Sequence, residues 1–171
     1  NANVPVAVQI GNFGAQSGGD ISITADTSVV VDGVSPAVDP LRGGQNSRII
    51  AVTFGDGDGG NVHIQSPEVV VSNGGQIALE SAGGAGNAGT LLVEADSMQL
   101  GNRGEVIATT SGAGDAGTVI LEVGALGLTD GGNISTATAG SGNGGEVFVN
   151  ATRQVTASGQ DCGSPVIGNP Y

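Results

Sequence analysis

The chain repeats itself at a nearly fixed interval. Turns of the form G-x-G-x-x-G begin at Gly55, Gly84, Gly112 and Gly140. The glycines that close the Gly-rich turns are Gly19, Gly60, Gly89, Gly117 and Gly145, spaced 41, 29, 28 and 28 residues apart. Such a period means one supersecondary unit used again and again, each copy burying its apolar side only against its neighbours. The first copy is longer than the rest. Pro36, Pro40 and the pair Gly43-Gly44 place the extra residues in an insertion loop at 33–48.

Each closing glycine is followed by a short alternating run: DISITA, NVHIQS, TLLVEA, TVILEV and EVFVNA. The apolar pairs are Ile21/Ile23, Val62/Ile64, Leu91/Val93, Val119/Leu121 and Val147/Val149. Branched residues at period two specify a strand with one buried face. A second apolar pair follows, as Val69/Val71, Met98/Leu100 and Leu126/Leu128. After a turn written NGG, NRG or DGG comes a third run, carrying Ile77, Val106 and Ile134. The unit is thus three short strands and three corners. No segment has helical apolar spacing, and glycine this frequent opposes helix. The expected fold is all-β: a parallel β-helix (β-solenoid) of about five coils of ~28 residues, three strands per coil, stacked at roughly 4.8 Å. The whole chain, 1–171, is one domain.

Composition matters mainly for what it excludes. Aromatic residues make up 2% of the chain, so the core must be an aliphatic stack rather than an aromatic cluster. The net charge is −12, and the basic residues are only Arg42, Arg48, Arg103 and Arg153. A nucleic-acid partner needs basic stripes, and there are none. No apolar run reaches the length of a membrane-spanning helix, so no membrane insertion is expected. The one cysteine, Cys162, leaves a free thiol or an intermolecular bridge as the alternatives. With no signal peptide and no initial methionine, a mature product or an excised piece is expected.

The two ends carry the main functional expectation. Residues 1–14 read as a third strand whose first two are missing. Val8 and Ile10 align with Ile50 and Val52, and Phe13 with Phe54. Residues 145–159 supply two strands of a further coil, with Val155 and Ala157 one place out of phase. Residues 160–171 form an irregular Pro- and Gly-containing tail. Bare ends of a solenoid invite pairing with a like chain. The self-assembly residues expected from this are Val4, Val6, Val8, Ile10, Phe13, Val155, Val166 and Ile167.

Chemistry is sparse. The G-x-G-x-x-G turns lead into strands and recur in every coil, so a dinucleotide site is not expected. They read as corners that need positive φ and close backbone stacking. Two places before each closing glycine stands Ser17, Asp58, Asn87, Asp115 or Asn143. Stacked Asn and Asp side chains form hydrogen-bonded ladders. The alternative is calcium, for which Asp56, Asp58 and Asp115 offer hard oxygen ligands on glycine-rich corners. No other cofactor is expected. His63 takes an outward phase. Glu94 and Glu122 stack in adjacent coils, in line with Thr24, Gln65 and Asn150, and read as a polar face rather than a catalytic pair. No catalytic residues are expected.

The segment GGNISTATAGSGNGGEVFVNA at 131–151, with RGEVIATTSGAGDAGTVILEV at 103–123, resembles the repeat region of filamentous-haemagglutinin-like large exoproteins, the cyanobacterial members most of all. The resemblance covers roughly 49–157. It implies a right-handed parallel β-helix, export by a two-partner route, and roles in adhesion or fibre-like surface structures. Residues and resemblance together predict a non-enzymatic, secreted structural protein of the cell surface that stacks head to tail on itself into a filament. The alternatives are an adhesin segment binding a carbohydrate or cell surface and, more weakly, an acidic-polysaccharide enzyme.

Overall fold

Residues that alternate apolar and polar at period two build long parallel ladders here, and the glycine turns return the chain to start each new layer. The computed structural model describes residues 7–33 and 47–159. The expectations placed on Val4, Val6, Val166, Ile167, the tail at 160–171 and the body of the 33–48 insertion lie outside the described residues.

Eleven strands are described. Five have six residues each: β1 (Ala7–Asn12), β4 (Arg48–Thr53), β6 (Gln76–Ser81), β8 (Glu105–Thr110) and β10 (Asn133–Thr138). These pair in that order into one parallel sheet. A second parallel sheet holds β5 (Val62–Ser72), β7 (Thr90–Gly101), β9 (Thr118–Thr129) and β11 (Val147–Ser158). Its first layer is split into β2 (Ile21–Thr24) and β3 (Ser28–Asp32), and both pair with β5. The molecule is a parallel β-helix. Among the described residues the coils resolve into four turns, with β1 and β11 as the outermost strands at opposite ends.

From β5 onward the expected first and second strands of each coil are continuous, as single strands that turn a corner in mid-length. In β5, Val62, Ile64 and Ser66 are buried, Pro67 and Glu68 are both exposed, and burial resumes at Val69 and Val71. Two successive outward residues shift the inward phase by one. The pairing registers skip the same place, Pro67 against Asp96 and Asp96 against Gly124. In β11 the corner contains one residue more, between Ala151 and Gln154. That bulge puts Val155 beside Leu126 and Ala157 beside Leu128, which accounts for their shifted phase.

The N-terminal alignment needs correction. Val8 pairs with Ile49 and Ile10 with Ala51, while Phe13 does stack on Phe54 with ring centroids 4.8 Å apart. The reason is local. In β4, Ile49 and Ala51 join the main core, while Ile50 and Val52 are buried in a separate cluster with Ala78. An unbroken apolar run gives no phase from which to choose a face.

The core runs along the axis as aliphatic columns. Ile64, Leu91, Met98, Leu100, Leu121 and Ile77 are all fully buried within it. At the turn between long and short strands, Asn73-Gly74, Asn102-Arg103 and Asp130-Gly131 all take positive φ. The G-x-G-x-x-G corners differ from expectation. Of their glycines only Gly84 has positive φ, at 70°. The others are required by proximity: a methyl on Gly86 would overlap the Gly57 carbonyl, and one on Gly114 would overlap that of Gly86.

Candidate functional site

Two surfaces collect the residues singled out above: the polar flank of the stack and its two ends.

The flank is organised by ladders. Asp58 Oδ1 accepts hydrogen bonds from the Asn87 backbone N–H at 3.0 Å and its Nδ2 at 3.1 Å. Asn87 Oδ1 accepts from Asp115 N–H at 2.8 Å. Asp115 Oδ1 accepts from Asn143 N–H at 2.6 Å and Nδ2 at 3.0 Å. A second ladder runs beside it, from Asp20 to Asn61 to Thr90. Asp56 Oδ1 accepts from Ala85 N–H at 3.0 Å. The side-chain oxygen of one turn therefore holds the main chain of the next. Asp56 and Asp58 share one corner, but Asn87 separates Asp58 from Asp115 along the column. The three candidate calcium ligands do not converge. Among the described residues, no group of three or more His, Cys, Asp or Glu side chains does so.

Glu94 and Glu122 are in register, as their phase predicts, with Gln65 and Asn150 on either side. Each carboxylate is hydrogen-bonded to a residue of the turn on its far side. His63 Nε2 lies 2.7 Å from Glu94 Oε2, with both side chains near two-fifths exposed. Asn150 Nδ2 donates to Glu122 Oε2 at 2.7 Å. A glycosidase pair needs one carboxyl held protonated next to its ionised partner. Here both carboxylates are partly solvated and hydrogen-bonded to a neighbour. Beside them a shallow groove of about 530 Å³ is lined by Thr24, Asp26, Gln65, Pro67, Glu94 and Asp96.

The ends carry the exposed apolar surface. At one end Phe13 is 80% exposed and Val8 47%. Ile10, also expected there, is half-buried and packs on the core. At the other end Val155 is 55% exposed. Sequence reasoning missed its neighbours Val147, Phe148 and Val149, which are 40%, 52% and 42% exposed. Val147 and Val149 sit in register with the fully buried Val119 and Leu121. The signal was present: they are the last described members of an inward column.

No family model matches the chain, and no curated protein or solved structure matches it. The geometry of the flank and the ends carries the functional reading.

Proposed function

We propose that the chain is a non-enzymatic, extracellular structural protein whose β-solenoid stacks end to end on itself into a filament. The observation that carries this reading is the exposed apolar column of β11. Val147 and Val149 occupy core positions yet have about two-fifths of their surface in water, along a strand that among the described residues pairs on one edge only. An unpaired parallel edge over an apolar column is completed by another turn of the same repeat. The net charge of −12 opposes side-by-side clumping and leaves the ends as the favoured contact. The extracellular placement rests on the exoprotein resemblance.

Sedimentation and electron microscopy at rising concentration test it. The protein should form fibres one solenoid wide. Val147→Lys with Val149→Lys should abolish them while circular dichroism keeps its β-signal, because lysine at an end position can reach water. Strict monomers of the unaltered chain at high concentration would sink the reading.

A second reading, a segment of a secreted adhesin, is favoured by the groove beside Glu94. Binding to a glycan array by monomers that never form fibres would support it over the first.

A further inference from the structure

The sheet that holds β5, β7, β9 and β11 has an outer face, and part of that face is apolar. Near its start each of these strands carries a triplet whose first and third residues occupy the inward columns: Val62-His63-Ile64, Leu91-Leu92-Val93, Val119-Ile120-Leu121 and Val147-Phe148-Val149. The middle residue points outward. It is Ser22 in the first layer and His63 in the next, then Leu92, Ile120 and Phe148 in succession. Leu92 and Ile120 are half-buried, and Phe148 is 52% exposed. None of the three belongs to either core cluster. Apolar residues scattered singly on a surface need no explanation, but a contiguous row marks a contact face. This row lies on the side of the stack. Layers before β2 or after β11 would lengthen the sheet without covering it.

Carboxylates edge the row. Glu94 and Glu122 take the next outward position, roughly 7 Å along their strands. Glu146 lies on the other side, beside Thr118, and is exposed. We propose that this row is the docking site of a cationic amphipathic α-helix of a partner protein. The spacing suits a helix. Successive layers set the three apolar side chains roughly 4.8 and 9.6 Å along one line. Helix residues i, i+3 and i+7 rise about 4.5 and 10.5 Å along one face. Same-face residues of a strand fall about 6.8 Å apart and lose step. Lysine or arginine beside that apolar ridge meets the three carboxylates. A second copy fits poorly, because it brings further acids and only four basic residues in the whole chain. An anionic lipid surface is repelled by the same carboxylates.

The probe is a synthetic helix of leucine and lysine, about five turns long, with its leucines on one face. Fluorescence anisotropy follows its binding to the monomeric chain, so stacking does not enter the readout. Leu92→Ser with Ile120→Ser should weaken binding roughly tenfold or more. Both side chains point away from the core, so circular dichroism should keep its β-signal. Glu94→Gln with Glu122→Gln should weaken it about threefold and flatten its salt dependence. Glu80→Gln with Glu105→Gln removes the same charge from outward positions of β6 and β8 and should leave binding unchanged. Equal losses from the two glutamine pairs would reduce the contact to unspecific attraction and overturn the proposal. So would full affinity in the Leu92/Ile120 variant. Dimers of the unaltered chain that Ile120→Ser abolishes would overturn it in favour of a second copy.

Discussion

Gly86 and Gly144 sit on the same kind of corner, and the space around them is opposite. A methyl on Gly86 would overlap the Gly57 carbonyl of the turn before, whereas nothing lies within 4 Å of one on Gly144. Alanine already fills the column of Gly144, at Ala88 and Ala116, and never fills that of Gly86. Gly86→Ala should therefore cost about 1–3 kcal/mol by forcing two turns apart. Gly144→Ala should be neutral or stabilising by a few tenths, through the lost freedom of the unfolded chain. Chemical denaturation of the two variants checks the contrast, and equal losses would show that glycine serves some purpose other than proximity. The motif's recurrence is plain in the sequence. The cause of the contrast is not, since it depends on which carbonyl of the previous turn points at which Cα.

At the level of strands and corners, the ladders set the charge pattern. Asp58 and Asp115 alternate with Asn87 and Asn143, so each carboxylate meets an amide N–H₂. Asn87→Asp would stack three carboxylates in succession and remove a donor. It should destabilise by roughly 0.5–1 kcal/mol, and added salt should restore part of that by screening. A melting temperature that salt leaves unchanged would count against the ladder as the source. Most strands were legible because their inward residues recur at period two, as in Leu91/Val93 and Met98/Leu100. Two features were not. The run Ile49–Val52 is apolar on both faces, so its register to β1 could not be read from pattern. The merging of two expected strands at Pro67 and Asp96 is a matter of corner geometry, since a strand can turn there without breaking its ladder. Of the site, the Asp–Asn column was legible from spacing alone. The opposed partners of Glu94 and Glu122 were not, because rotamers leave no trace in a linear sequence.

At the scale of the molecule, burial rises from the ends to the middle along the aliphatic columns of Leu91 and Met98. Leu100 is fully buried, while Val155 at the end is 55% exposed. Leu100→Ala should cost about 2–5 kcal/mol, and Val155→Ala less than about 0.5 kcal/mol in the dilute monomer. The second change should show itself in assembly, raising the concentration at which fibres appear. If thermal unfolding found the two equally damaging, the column at β11 would have to be closed already. The ladder bonds, finally, join residues 28, 29 or 41 positions apart, never distant parts of the chain. Each layer needs only the one laid down before it as a template. A polypeptide delivered lengthwise, from a ribosome or through a narrow passage, can therefore settle as it emerges, with little left to await from the portion still to come.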